Sequence, residues 1–373
     1  MLVNRTISGE IIRRLEEKES KIIVIYGARQ VGKTTLVNKI LKEKFNDKRI
    51  LSVEGDSYQF SDILSSRDLG KLSNLVKGYD ILFIDEAQKI ENIGINLKIL
   101  YDKFKDNLKI IVTGSSSLEL ANKIKEPLTG RHHTYHLYPI SLLELSKTQT
   151  NYELSSQTEE RMIFGAYPEI FRIENMQDKI AYLNNLSTDY LYKDVLELEN
   201  IRFNKKLRDL VRLLAFQIGS EVSYNELATT LGMDRKTVDS YIDLLEKAFV
   251  LVRIYGFSRN LRKEVNKKPK IYFYDLGIRN AIIGNFNYLN ARNDVGALWE
   301  NFLMLERIKR NSYQRHYCNQ YFWRTYTGAE LDYVEEYAGE LHGYEFKYSK
   351  ISKAPKSWIE TYKQENARFE CVN

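Results

Sequence analysis

The feature that most constrains this chain of 373 residues is the loop Gly27-Ala28-Arg29-Gln30-Val31-Gly32-Lys33-Thr34-Thr35, entered from the apolar run Ile22 to Tyr26 and left through a helical stretch beginning near Lys33. Glycine at positions 27 and 32 permits backbone angles and a closeness of approach that a side chain would block. Loop amides and the helix N-terminus can then converge on an anion, so strand, loop and helix in this order form a cradle for nucleotide phosphates. Lys33 brings positive charge to the β- and γ-phosphates, and Thr34 offers a hydroxyl to Mg²⁺ at the helix start. ATP and Mg²⁺ are the expected ligand and cofactor, and a parallel α/β sheet is the expected frame.

A second motif supports the first. Ile81-Leu82-Phe83-Ile84-Asp85-Glu86 reads as a buried strand ending in two acids at the edge where the phosphates sit. Asp85 would belong to the Mg²⁺ shell, and Glu86 would polarise the attacking water as the catalytic acceptor. A third strand, Ile110 to Thr113, runs into Gly114-Ser115-Ser116-Ser117; Thr113 is the candidate γ-phosphate sensor, with a plain strand-to-turn as the competing reading. Arg131, in Leu128-Thr129-Gly130-Arg131, is either an arginine finger or a surface arginine. Acting in trans, it would require a homo-oligomer. His132, His133 and His136 lack the cysteine or acid that would complete a metal site.

The chain is longer than one core usually organises, and the motifs divide it into four zones. Residues 1–145 carry alternating strands (Ile22 to Tyr26, Ile50 to Val53, Ile81 to Ile84, Ile110 to Thr113) and helices, the ATPase core. Residues 146–204 read as a helical lid or linker. No apolar run approaches the ~20 residues of a membrane helix, and the N-terminus lacks a secretion signal, so no membrane partner and a cytoplasmic location are expected. Cys318 and Cys371 are too few for a disulfide framework.

Residues 205–270 hold 14 Lys/Arg against 8 Asp/Glu, an excess that favours an acidic partner. Val238, Tyr241, Ile242 and Leu245 form an apolar stripe after Glu226 to Gly232, a pattern resembling a helix-turn-helix. Asp234 is its expected N-cap. Arg235, Lys236 and Ser240 lie off the stripe, Asp239 and Asp243 would repel phosphates, and Arg259, Arg262, Lys263, Lys267, Lys268 and Lys270 could track a DNA backbone as a basic wing. DNA contact and a packing module with a solvated basic loop both remain open.

Residues 271–373 carry a carboxylate pattern. In Glu330-Leu331-Asp332-Tyr333-Val334 and Tyr344-Glu345-Phe346-Lys347, strand alternation puts Glu330 with Asp332 and Glu345 with Lys347 on one face. Asp332 and Glu345 could hold Mg²⁺, with Lys347 steadying an attacking hydroxide. Glu300 lies on a helix of residues 294–310 among Gly296, Ala297, Leu303 and Met304, a setting that implies burial and a partner in this catalytic group. The same residues could form a structural salt-bridge network. Only a helix and the short run Phe369 to Val372 follow Lys347.

The Gly27 to Thr35 loop, Asp85-Glu86-Ala87-Gln88, Thr113 to Ser116, Gly130-Arg131 with Pro139-Ile140-Ser141, Gly165-Ala166-Tyr167-Pro168-Glu169 and Tyr272 to Gly277 together resemble a large prokaryotic AAA-type ATPase family across most of the chain. The resemblance implies an ATPase followed by a winged helix and a PD-(D/E)xK nuclease-like domain. The expected fold class is therefore α/β: a P-loop NTPase parallel sheet, a winged helix-turn-helix over 205–270 and a restriction-nuclease-like α/β domain over 271–373. Two functions compete: an ATP-hydrolysing protein coupled to a nuclease-like domain acting on DNA, and a regulatory ATPase whose C-terminal domain is an inactive protein-interaction module.

Overall fold

Five consecutive apolar residues, Ile22–Tyr26, leave no polar face for water, so this strand, β1, is stable only when covered on both sides, and all five are buried. The computed structural model describes residues 3–115, 127–189, 204–259, 268–349, 352–363 and 366–373. They fall into two units, Met1–Ile140 with Lys247–Phe249, and Ser141–Glu246 with Val250–Asn373.

In the first unit, β1 joins β2 (Ile50–Glu54), β3 (Ile81–Asp85), β4 (Lys109–Gly114) and β5 (His132–His136) in one sheet of order β2-β3-β4-β1-β5. Every neighbour is parallel. Their C-terminal ends therefore share one edge, which brings together the loop after β1, the acids ending β3 and Gly114. The helix Lys33–Lys44 follows the loop, with Gly32 at its cap in the left-handed region (φ 96°). This is the α/β fold of a P-loop NTPase.

The second unit begins with the helices Leu142–Leu145, Asn151–Ser156, Thr158–Phe164 and Met176–Asp189. Three more follow, Asn204–Phe216, Tyr224–Leu231 and Arg235–Lys247. Strands β6 (Leu251–Gly256) and β7 (Lys270–Phe273) then pair antiparallel. After the helices Leu276–Ile283 and Val295–Gln314 come β8 (Asn319–Arg324), β9 (Glu330–Tyr337), β10 (Glu340–Phe346), the helix Lys356–Thr361 and β11 (Arg368–Val372). These strands make a second, mixed sheet of order β11-β10-β9-β8-β6-β7.

Two expected divisions do not coincide with gaps in packing. The division at 270/271 falls inside β7, because β6 pairs with β7 on one side and with β8 (Tyr255 opposite Tyr321) on the other. The helical part of 146–204 is tied into the second unit by buried polar bonds: the Asn280 amide donates to the Met162 and Ile163 carbonyls at 3.0 and 2.8 Å, and Asp275 accepts from Ala166 N at 2.7 Å. Gly165 (φ +73°) permits this joint, since a Cβ there would overlap the Asp275 carboxylate. Among the described residues, no helix is long and apolar enough to cross a membrane.

Candidate functional site

The sheet edge of the first unit assembles the loop and both acids. A Cβ at Gly27 would overlap the Leu137 carbonyl, so only glycine lets the loop lie this close to the chain leaving β5. Ala28 and Val31 are buried, Arg29 is half-buried, and Gln30 is exposed with φ 57°. Lys33 is buried, and its ammonium donates to the Gly27 and Ala28 carbonyls at 3.0 Å each, 3.9 Å from Glu86 Oε1. Thr34 and Thr35 are exposed at the helix start. Thr34 Oγ1 donates to Asp85 Oδ2 at 2.6 Å, which pairs the two expected Mg²⁺ ligands. A hydroxyl and a carboxylate are hard oxygen donors of the type Mg²⁺ takes, so the residues present fit the ion.

Glu86 has φ 50°, a left-handed conformation that a non-glycine residue adopts at a cost. Three neighbours fix it. A Cβ at Gly55 would overlap the Glu86 carbonyl. Glu86 N donates to Thr113 Oγ1 at 3.2 Å. Gln88, named in sequence only as part of a motif, donates from Nε2 both to Glu86 Oε2 and, at 2.9 Å, to Ser115 Oγ. Thr113 is fully buried and donates to Asp85 Oδ1, so its hydroxyl is committed to the acids. Its neighbours Ser116 and Ser117 lie outside the described residues.

Arg131 requires a correction. Ile22 N donates to the Arg131 carbonyl at 2.9 Å, and His132 pairs with Ile22, so Arg131 is level with the start of β1. The phosphate loop begins beyond Tyr26, about 15 Å further along the strand direction at ~3.3 Å per residue. Its guanidinium is held by Asp102 at 2.7 Å. Arg131 therefore cannot serve the loop of its own chain.

In the second unit the expected carboxylates converge. Lys347 Nζ lies 2.6 Å from Glu345 Oε1 and 4.0 Å from Asp332 Oδ2, and Phe346 N donates to Asp332 Oδ2 at 2.8 Å. Glu300, on the helix Val295–Gln314, joins them through two residues that sequence reasoning did not place there. Lys270 Nζ sits 2.6 Å from Glu330, 3.1 Å from Glu300 and 4.0 Å from Asp332, while the Tyr272 hydroxyl donates to Glu300 at 2.6 Å. Burial raises the Glu300 carboxyl well above the ordinary carboxylate range, against the pull of Lys270. Burial likewise raises Asp332 and Glu345. Burial works against the Lys270 charge too, but Glu300, Glu330 and Asp332 outweigh it and hold its pKa above the usual lysine value.

Lys270 thus corrects the basic-wing reading: it is 3% exposed, inside this cluster. The signal was in the alternation of Lys270-Ile271-Tyr272-Phe273, which puts the lysine and tyrosine on one strand face. Of the other wing residues, Arg262, Lys263 and Lys267 lie outside the described residues, Lys268 is exposed, and Arg259 is exposed with Glu336 at 2.9 Å. Asp239 and Asp243 are within 3.5 and 3.0 Å of Arg253, so their charge is partly offset. Asp234 Oδ1 accepts from Lys236 N at 2.7 Å, at the start of Arg235–Lys247.

His316 and Glu335, which sequence reading did not single out, lie beside Cys318, with one potential ligand atom of each within 4.8 Å of the others. Arg307 already holds Glu335 at 2.6 Å, and burial pushes the Cys318 thiol up to about 11, which keeps it protonated at neutral pH. Both features disfavour a cation there.

The strand order, the loop after β1 and the acid pair at the end of β3 define a P-loop NTPase domain. The comparisons agree in class: a family model described as an AAA domain matches residues 19–146. Residues 155–289 match a domain of unknown function (DUF8612), and residues 295–371 match another (DUF4143). An uncharacterised protein of Mycobacterium tuberculosis is 28% identical over 349 residues, covering 93% of this chain and 74% of that protein. An uncharacterised protein of Methanocaldococcus jannaschii is 30% identical over 312 residues, 73% of this chain and 64% of its own length. Among solved structures, AMPPCP-bound DnaA from Aquifex aeolicus aligns with a TM-score of 0.34 and 17% identity, over 66% of this chain and 89% of that chain.

Proposed function

We propose that this AAA-type, ATPase-like chain binds and hydrolyses ATP at the edge of its parallel sheet. The observation that carries this reading is the convergence of Lys33, Thr34, Asp85 and Glu86 on one phosphate-binding loop. Lys33 leaves the loop carbonyls for the β- and γ-phosphates. Mg²⁺, held by Thr34 and Asp85, would offset phosphate charge. Glu86 Oε1 accepts a proton from the water in line with the γ-phosphate, and Gln88 and Thr113 hold that acid pair in place. A nucleotide-binding titration tests the loop: Lys33→Ala is expected to lose ATP binding, and wild-type affinity in that variant would sink the reading.

In the second unit we read Asn204–Phe216, Tyr224–Leu231, Arg235–Lys247 and the pair β6–β7 as a winged helix, and the carboxylate cluster as a nuclease-like site acting on DNA. Three helices followed by an antiparallel pair, and Asp332, Glu345 and Lys347 drawn together, support this. A divalent cation fits the cluster, since the buried Glu345 Oε2 has no hydrogen-bond partner and the donors are all carboxylate oxygens. Asp332 and Glu345 would hold the ion, which supplies charge to a phosphodiester, and Lys347 would steady the anionic oxygen. For the ATP site, a trans role for Arg131 as an arginine finger would require a homo-oligomer. Mn²⁺- or Mg²⁺-dependent cleavage of DNA by wild type but not by Lys347→Ala is the expected result. Absence of Lys347-dependent cleavage, with ATPase intact, would favour the protein-interaction module instead.

A further inference from the structure

Among the described residues, four carboxylates, Glu300, Glu330, Asp332 and Glu345, share the second-unit cluster with two ammonium groups, Lys270 and Lys347, and Glu330 also lies 3.7 Å from the Arg324 guanidinium. The two cations differ in kind. The Lys347 side chain is 42% exposed and contacts carboxylates of β9 and β10, so it can swing toward a substrate. The Lys270 side chain is 4% exposed and reaches carboxylates of the helix Val295–Gln314 and of β9 at once.

The backbone gives Lys270 little freedom. Its residue pairs with Ile254 of β6 and bridges Glu221, and its ammonium sits 5.4 Å from the centre of the Phe322 ring. Withdrawing it would leave Glu300 without the ammonium 3.1 Å from it, and Glu330 with the half-exposed Arg324 guanidinium at 3.7 Å as its remaining counter-charge. Tyr272 holds Glu300 in the orientation that meets Lys270. A divalent ion at the same point would need the oxygens that Lys270 already occupies.

We propose that Lys270 is a resident cation that takes the place of a divalent ion in the Glu300–Glu330 half of the cluster. The cluster is thereby limited to one metal ion, at Asp332 and Glu345. The single-ion count rests on the reading of Asp332 and Glu345 as metal ligands; the role of Lys270 does not. If the site cleaves phosphodiesters, it does so with one ion and Lys347 rather than with the paired ions of two-metal enzymes.

The test is a Mn²⁺ titration of the full chain without nucleotide, counting bound ions by electron paramagnetic resonance. Ions lost on Asp332→Asn are assigned to the cluster. One such ion is expected in wild type and two in Lys270→Met, the second pair showing the dipolar coupling of ions about 4 Å apart. An unchanged count in Lys270→Met overturns the proposal. No cluster ion in wild type contradicts the metal-ligand reading instead, and a gain of one ion in Lys270→Met then still supports the role of Lys270. Should Lys270→Met fail to fold, wild type saturated with Mn²⁺ decides: a coupled ion pair at the cluster overturns the proposal, and its absence supports it.

Discussion

Thr34 Oγ1 donates a 2.6 Å hydrogen bond to Asp85 Oδ2, joining the start of the first P-loop helix to the end of β3, 51 residues further along the chain. Two oxygens of the type Mg²⁺ prefers thus stand side by side before any ligand arrives. Thr34→Ala is expected to weaken ATP binding about tenfold in the presence of Mg²⁺ and little in its absence, the scale of one hydrogen bond to a charged group. A fluorescent-nucleotide titration with and without Mg²⁺ checks this. Equal losses in both conditions would contradict the assigned role.

Gln88 acts one step behind the chemistry, as a positioning residue between Glu86 and Ser115. Removing it leaves the loop intact but frees Glu86. Gln88→Ala is therefore expected to lower kcat about tenfold, a part of the 10²–10⁴ that a general base contributes, with nucleotide affinity unchanged. A parallel rise in Kd would show that Gln88 shapes the binding site instead.

Gly165 joins the helix Thr158–Phe164 to the strand-to-helix turn at Asp275. Its φ of +73° and the overlap of any Cβ with the Asp275 carboxylate act together. Gly165→Ala is expected to cost about 3 kcal/mol of stability, from backbone strain plus displacement of a buried polar group. Urea unfolding measures it. A loss below about 1 kcal/mol would mean that the joint yields easily.

Burial pushes the Asp275 carboxyl up to about 6 from an unfolded value of 3.8, although backbone N–H groups of Ala166 and Ile278 favour its charge. Because the folded value is the higher one, folding favours the protonated acid. Its contribution is present in full below about 3.8 and is lost as pH rises through about 6, a change of about 2–3 kcal/mol. Asp275→Asn keeps an oxygen to cap the helix Leu276–Ile283 and removes the titration. Its unfolding midpoint should fall less between pH 5 and pH 7.5 than that of wild type. An identical decline in both proteins would show that Asp275 does not titrate there.

The first sheet was legible because its signals are local. Ile22–Tyr26 is apolar over the full length of a strand, and glycine and lysine punctuate the turn into the helix at Lys33. The acids at 85 and 86 end a strand buried over Ile81 to Ile84, so their placement followed from the run that precedes them. The side of the sheet taken by Arg131 was not legible. It depends on β5 pairing parallel to β1 from His132 onward, a register between segments more than 100 residues apart.

The same limit explains Lys270. Read along the chain, it closes a run of basic residues and resembles the solvated end of a wing. Read through the sheet, it belongs to β7, and burial against Glu300 and Glu330 decides its role. Charge composition reports how many lysines a segment carries, whereas pairing with a distant helix and strand determines which of them is buried.

Hydrolysis at the sheet edge requires the Glu86 carboxylate, and Glu86→Gln keeps size and hydrogen bonding but removes the proton acceptor. Steady-state ATP turnover and nucleotide affinity should be measured on the same preparations of wild type and variant. Turnover is expected to fall at least about 100-fold with ATP still bound. Wild-type turnover in Glu86→Gln would show that Glu86 is not the proton acceptor for hydrolysis.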